Sequence, residues 1–160
     1  MPKMTTIYLN TFVSATPETV FDLSRSVDLH QISTKQTHEK VIAGRPSGLI
    51  ELGESVTWRA KHFGFFQELT SKITAFEMPH TFTDEMVSGA FKSFKHIHKF
   101  EPMNNGTNMI DIFSFVSPLG ILGKLADYLF LKGYMENLLI NRNFVIKKYA
   151  ENGECALKDN

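Results

Sequence analysis

Polar and apolar residues alternate in several stretches before residue 117, and this period-two pattern predicts β-strands. The first predicted strand covers 4–13. Gly64 predicts a tight reversal between two later strands, and the composition of 101–106, which ends in Asn-Gly, predicts a second turn. The later strands are predicted at 37–43, 54–63, 65–77, 81–88, 91–100 and 107–116.

Between the first two strands the pattern changes to that of short helices. Thr16 is a suitable N-cap and Pro17 a suitable first helical residue. We predict a helix here that buries Val20 and Phe21, followed by a second short helix over 27–33.

A long helix is predicted at the end of the chain, where apolar residues are spaced by three and four from Gly120 to Glu151. Gly133 lowers helix propensity there by about 1 kcal/mol, which indicates close packing against the sheet, a kink, or two helical segments. The polar residues that follow predict a domain over 1–152 and a flexible tail over 153–160. The long helix is the only predicted element able to cover one face of the sheet, so the sequence predicts a single α+β domain.

The composition favours an apolar core or cavity and disfavours nucleic-acid binding. The 160 residues include 14 Phe but only one Trp and four Tyr, and rings without polar groups suit dry surfaces. Basic and acidic residues number 17 each, whereas nucleic-acid binders usually carry a basic excess. Lys92, Lys95 and Lys99 alternate with apolar residues, as on a solvated sheet face.

No part of the sequence predicts a disulfide framework, a leader or a membrane span. Cys155 is the single cysteine, and it lies in the predicted tail with no activating histidine nearby. The first ten residues lack a signal-peptide core, and no apolar stretch reaches the ~18 residues that span a bilayer. We expect a cytoplasmic setting without stable membrane insertion. Transient membrane or protein contact through the apolar segment 119–134 remains an alternative.

Two histidines are predicted to face the interior. Because side chains alternate along a strand, Phe94, His96, His98 and Phe100 share one face, and the neighbouring lysines share the other. The lysines favour solvent, which places both imidazoles inside.

A carboxylate is predicted to join them. Asp111, Phe113 and Phe115 share the apolar face of the next strand. In 81–88 the alternation allows either Asp84 or Glu85 to point inward, and we favour Glu85.

Imidazoles beside a carboxylate among aromatic rings leave three interpretations open. They can be a buried network that satisfies its own polar groups. They can be the polar end of an apolar pocket. They can also be a metal or catalytic site, either a facial triad for non-haem iron or a His–Asp general base built from His96, His98 and Asp111. We expect no metal and no cofactor.

Three further residues are candidates for the same space. Trp58 and His62 share the inner face of their strand. Arg142 lies on the apolar side of the predicted helix, where it can extend to the edge, pair with Asp111 or Glu85, or hold a ligand carboxylate.

The spacing of these residues resembles a known superfamily. The sequence is similar to the SRPBCC superfamily, which has the START-like, Bet v 1-like helix-grip fold, and within it to a bacterial polyketide cyclase/dehydrase-like ligand-binding branch. Ala90 stands where that branch would have proline. The resemblance rests on Asp84-Glu85, Gly89-Ala90-Phe91, His96 to Phe100, Gly106-Thr107, Asp111, Pro118-Leu119-Gly120 and Arg142.

The resemblance implies a curved seven-stranded antiparallel sheet around a long C-terminal helix, with two short helices between strands 1 and 2 and a deep cavity beneath the sheet. Members carry lipids, sterols, polyketides or quinones, and a minority catalyse cyclisation or ring oxygenation. The branch provides no catalytic residue to carry over.

We therefore expect a small apolar ligand, with a cyclase- or hydrolase-type enzyme and an interaction module as alternatives. The candidate ligand-binding residues are Trp58, His62, Leu69, Glu85, Phe94, His96, His98, Asp111, Phe113, Phe115, Leu125, Leu129 and Arg142.

Overall fold

The computed structural model describes residues 4–117 and 130–153, and these residues form an α+β fold. Within them, seven strands form one antiparallel sheet and three α-helices lie against it. The helices are α1 (Pro17–Ser24), α2 (Val27–Ser33) and α3 (Lys132–Asn152). The strands are β1 (Thr5–Val13), β2 (Lys40–Gly44), β3 (Ser55–His62), β4 (Phe65–Glu77), β5 (Thr81–Ser88), β6 (Ser93–Met103) and β7 (Gly106–Val116).

The sheet is a run of hairpins closed by its first strand. The strand order is β1-β7-β6-β5-β4-β3-β2, so each strand from β2 to β7 pairs with its neighbours in sequence, and β1 pairs with β7. The register shifts in β2 between Val41 and Ala43, and in β4 between Ile73 and Ala75. Such irregularities bend a strand and increase its twist, which helps to curve the sheet around α3.

Both short helices begin with a side-chain N-cap, Thr16 as predicted and Ser26. The Thr16 hydroxyl accepts a hydrogen bond from the Thr19 amide, and the Ser26 hydroxyl accepts one from the Leu29 amide. Each bond satisfies an amide that the first helical turn leaves free. Phe21 of α1 is fully buried, as predicted.

Two predicted boundaries differ from the structure. The turn predicted over 101–106 is present but shorter, because β6 continues to Met103 and the reversal consists of Asn104 and Asn105. Asn105 has φ 68°, a left-handed conformation that asparagine adopts more readily than most residues. The second strand begins at Lys40 and not at 37, because Thr34 and Thr37 bond local carbonyls and hold a 3₁₀ turn.

Helix α3 packs against β1, α1 and α2 through one buried side. Leu139, Arg142, Asn143 and Ile146 form that side, which agrees with the predicted helical spacing. Among the described residues, a Cβ atom on Gly133 would meet nothing within 4 Å, so the close packing against the sheet that was considered for this glycine is wrong. No helix in the described ranges is long and apolar enough to cross a membrane.

Buried polar groups separate two apolar clusters in the interior. Along the inner face of β6, Phe94 belongs to one cluster and Phe100 to the other, with His96 and His98 between them. Along β7, Asp111 stands in the same way between Met109 and Phe113. The polar groups therefore form a band across the sheet, at the level of Arg142 on α3.

Candidate functional site

A cavity of about 530 Å³ lies between the sheet and α3. Its walls come from the ends of α1 and α2, from the inner faces of β3 to β7, and from α3. Eight of the thirteen predicted ligand-binding residues line it: Trp58, His62, Leu69, Phe94, His96, His98, Phe113 and Arg142.

Five predicted residues do not appear in the described lining. Leu125 and Leu129 fall outside the described ranges. Phe115 is fully buried but packs against Phe91, with ring centroids 5.3 Å apart, and not against the cavity. Asp111 is also fully buried and lies behind the histidines. The fifth, Glu85, faces outward.

The choice of Glu85 over Asp84 was wrong. Glu85 lies 3.7 Å from the ammonium group of Lys95 on the outer face, while Asp84 lines the cavity and contacts His98. Phe82 lies on the same face of β5 as Asp84 and is buried, so this large apolar side chain identifies the inner face of the strand. Asp84 and Glu85 lie on opposite faces of β5, so the presence of a carboxylate does not tell which face points inward.

Asp111 is the centre of the polar band. Its Oδ1 atom lies 2.8 Å from His96 Nε2, 3.2 Å from His98 Nδ1 and 3.4 Å from an Arg142 nitrogen. The side-chain amide of Asn143 donates to its Oδ2 atom at 2.6 Å. Four side chains from β6 and α3 thus converge on one buried carboxylate of β7.

The second carboxylate of the band belongs to Asp84 on β5. Its Oδ1 atom lies 2.9 Å from His98 Nε2 and 3.9 Å from His96 Nδ1. His98 therefore spans Asp84 and Asp111 through its two ring nitrogens. The ring of His96 contacts that of His98, with 3.7 Å between the centroids and an angle of 35° between the planes.

The environment shifts the ionisation of three groups in the band. Burial raises the pKa of Asp111, but hydrogen bonds from His96 and His98 and the charge of Arg142 outweigh burial and hold that pKa well below its usual range. The pKa of Asp84 is lowered for the same kind of reason, with burial overcome mainly by the hydrogen bond from His98. Burial, and then the neighbouring His98, lower the pKa of His96 to about 4, so this ring is neutral at pH 7.

Arg142 pairs with Asp111, one of the two partners considered for it in the sequence. Its guanidinium also donates to the Ser24 carbonyl at 3.1 Å and to the Asn143 side chain at 3.0 Å. Glu85 is on the other side of the sheet, and the buried guanidinium does not extend to the edge. A buried cation is stable only with such partners, so Arg142 fastens α3 to α1 and β7.

A second polar group on the cavity wall was missed in the sequence. His30 Nε2 lies 3.2 Å from Glu39 Oε1, and the His30 ring lies 4.3 Å from the Trp58 ring. His62 Nδ1 lies 2.7 Å from the Tyr134 hydroxyl. Glu39 precedes a short strand and His30 is inside a short helix, so no spacing rule brings them together.

Asn143, also missed, was detectable, because it stands four residues after Leu139 and three before Ile146 on the buried side of α3.

The Glu39–His30 pair predicts a pH-dependent contribution to stability. Burial raises the pKa of Glu39, but the charge and hydrogen bond of His30 outweigh it and lower the pKa below the usual 4.5. Ionised Glu39 therefore stabilises the fold above pH 4.5, and this contribution is lost as the pH falls through the lowered pKa. We expect Glu39→Gln to unfold at lower urea than the wild type at pH 7, with the difference shrinking below pH 4.5. An unchanged difference at low pH would contradict the pairing, and Glu77→Gln at an exposed position is the control.

The band can act chemically in three ways. It can satisfy its own hydrogen bonds, it can bind the polar group of a molecule in the cavity, and it can take or give a proton through His96. Asp84, His96 and His98 also offer three metal-ligating atoms within 4.8 Å of one another. Asp111 already has its hydrogen bonds satisfied within the band. Asp84, His96 and His98 line the cavity.

A curved antiparallel sheet that holds a long C-terminal helix, with two short helices after the first strand, defines the helix-grip fold. The fold prediction made from the resemblance to the SRPBCC superfamily is confirmed.

Solved structures share this fold over nearly the whole chain. TTHA0849 from Thermus thermophilus is 15% identical with a TM-score of 0.77, covering 94% of this chain and 100% of that one. The Zhui aromatase/cyclase from Streptomyces sp. R1128 is 12% identical with a TM-score of 0.74, covering 94% and 95%. Ara h 8.0201 is 14% identical with a TM-score of 0.61, covering 90% and 98%. No protein-family model and no curated protein matches the sequence, so these likenesses establish the fold.

Proposed function

We propose that the protein binds or transports a small hydrophobic molecule, such as a lipid, a quinone or a polyketide-like compound, that carries a polar group at one end. The observation that carries this proposal is the cavity of about 530 Å³, whose walls are mainly apolar and include the polar band. Ligand sites typically have ~300–1,000 Å³ and a few fixed polar groups. An aromatase/cyclase shares the fold, which adds support for a polyketide-like ligand.

The lining supports a bound molecule with one apolar and one polar end. Apolar parts would contact Trp58, Leu69, Phe94 and Phe113, which lie on the inner faces of four strands. The polar group would contact the band, where Arg142 supplies a donor and Asp84 supplies an acceptor. His62 would lie beside the ligand at the β3 end.

Mass spectrometry of the purified protein under native conditions tests the proposal. We expect part of the population to carry one extra mass, and an organic-solvent extract to contain an apolar molecule of that mass. Delipidated protein should regain the mass when the extract is returned to it. An unoccupied population that takes up no molecule from a panel of fatty acids, quinones and aromatic polyketides would contradict the proposal.

Catalysis in the same cavity is the second candidate, and the His96–Asp111 distance of 2.8 Å favours it. A carboxylate that orients an imidazole leaves the other ring nitrogen able to take a proton from a bound molecule. The readout is the extracted molecule: an enzyme returns it chemically changed after incubation, and a carrier returns it unchanged. The interaction module remains a prediction, because most of 119–134 lies outside the described residues.

A further inference from the structure

Three side chains on the cavity wall are arranged like the ligands of a metal ion. His96 and His98 come from β6, and Asp84 comes from the adjacent strand β5, where it is paired with His96 in register. We expected no metal from the sequence, and the open alternative of a metal site used Asp111 with the two histidines and not Asp84. With Asp84 inward, two imidazoles and one carboxylate meet at one point.

We infer that Asp84, His96 and His98 bind a divalent transition-metal ion at the polar end of the cavity. This inference does not depend on the ligand proposed above.

The spacing of the ligand atoms supports the inference. Asp84 Oδ1 lies 2.9 Å from His98 Nε2 and 3.9 Å from His96 Nδ1. With metal–ligand bonds of roughly 2.0–2.1 Å, neighbouring ligand atoms are about 2.9 Å apart in an octahedron and about 3.3 Å apart in a tetrahedron. The distance between Asp84 and His98 already fits. The distance between Asp84 and His96, and the distance between the two imidazole nitrogens, which is within 4.8 Å, would shorten as His96 turns toward the metal ion.

The opposite nitrogens of both rings are held by one carboxylate. His96 Nε2 and His98 Nδ1 both lie within 3.2 Å of Asp111 Oδ1. In metal sites, the ring nitrogen that does not bind the metal commonly donates to a carboxylate, which fixes the tautomer and the ring orientation. Asp111 does this for both histidines and directs His96 Nδ1 and His98 Nε2 toward Asp84.

His98 supplies an independent argument. A neutral imidazole has a single N–H group, yet both ring nitrogens of His98 face carboxylate oxygens, at 2.9 and 3.2 Å. If Nδ1 donates to Asp111, then the lone pair of Nε2 faces the anionic oxygen of Asp84. A second ring proton or a metal ion between these two atoms removes that repulsion, and the titration below distinguishes the two.

The charge and the cavity also fit a cation. Asp84 and Asp111 contribute two negative charges, and Arg142, 3.4 Å from Asp111, offsets one of them, so one net negative charge remains to attract a cation. The three ligands line the cavity, so the remaining coordination positions are open to water or to an oxygen of a bound molecule. Two imidazoles and one carboxylate suit zinc or ferrous iron rather than magnesium or calcium.

Calorimetric titration of the full chain, purified without a histidine tag and treated with a chelator, tests the inference with ZnCl₂ as the probe. We expect one Zn²⁺ per chain and at least tenfold weaker binding in Asp84→Asn and in His98→Gln. Asp111→Asn should weaken binding roughly 10–100-fold without removing a ligand. Glu85→Gln, one residue away on the outer face, and His80→Ala, at an exposed histidine, should bind as the wild type does.

A second readout covers the case in which a variant does not fold. Paramagnetic Co²⁺ added to the wild type should broaden the ring signals of His96 and His98 before those of exposed histidines such as His38 and His80. No stoichiometric Zn²⁺ binding, equal loss in the two control variants, or early broadening at His38 and His80 would overturn the inference. Loss of apolar-ligand binding alone would not, because that result concerns the proposed function.

Discussion

Asp111→Asn should lower the free energy of unfolding by about 3–5 kcal/mol, the loss that follows when one partner of a buried charge pair is removed. The carboxylate is fully buried and receives hydrogen bonds from β6 and α3. Without its charge, the buried guanidinium of Arg142 loses its anion. Urea denaturation monitored by circular dichroism at pH 7 measures the difference.

Two matched variants make this expectation specific. Glu85→Gln removes a half-exposed carboxylate whose ion pair with Lys95 spans 3.7 Å, and it should cost less than about 1 kcal/mol. The double variant Asp111→Asn with Arg142→Met removes both charges and should recover part of the loss. If Asp111→Asn costs no more than Glu85→Gln, the polar band does not hold α3 to the sheet.

Ala60→Phe should weaken the binding of an apolar fluorescent probe at least tenfold while leaving stability nearly unchanged. Ala60 is buried on β3 and lines the cavity, so the added ring would occupy the space of a ligand. Val20 is buried in the filled core on α1, where Val20→Phe should cost about 1–3 kcal/mol through overpacking. Fluorescence titration and urea denaturation measure the two effects.

The contrast between these two variants separates a hollow interior from a solid one. Equal destabilisation by both would mean that the space beside Ala60 is filled. Unchanged probe binding in Ala60→Phe, with the variant folded, would place the apolar site elsewhere.

Much of the fold was predictable because strand periodicity and helix capping are local properties. Thr16 caps α1, and the turn at Gly64 joins β3 and β4. The lysines of β6 identify the outer face of that strand. The turn after β6 was predicted to begin too early, because proline is common in turns. In the structure Pro102 still lies within β6, opposite Thr107 of β7.

Strand alternation also predicted that His96, His98 and Asp111 point inward. It did not predict that Asp84 would contact His98. Asp84 reaches His98 because β4, β5 and β6 are adjacent, and the parity of β5 depends on this pairing. Phe115 was assigned to the cavity from its strand face alone, but the far end of that face is filled by Phe91. The alternation tells which face of a strand a side chain lies on. Whether a cavity lies beneath that face depends on the side chains of other elements that pack against it.

The pairing of β1 with β7 has a consequence for how the chain is made. The other five strand pairs join neighbours in sequence, but Val13 pairs with Thr107, more than 90 positions later. At about 5–20 residues per second, the ribosome needs on the order of 5–20 seconds to make that partner. Strand β1 is thus synthesised before every other strand of the sheet but cannot pair until β7 has been made, and in that interval its unpaired backbone is available to other nascent chains.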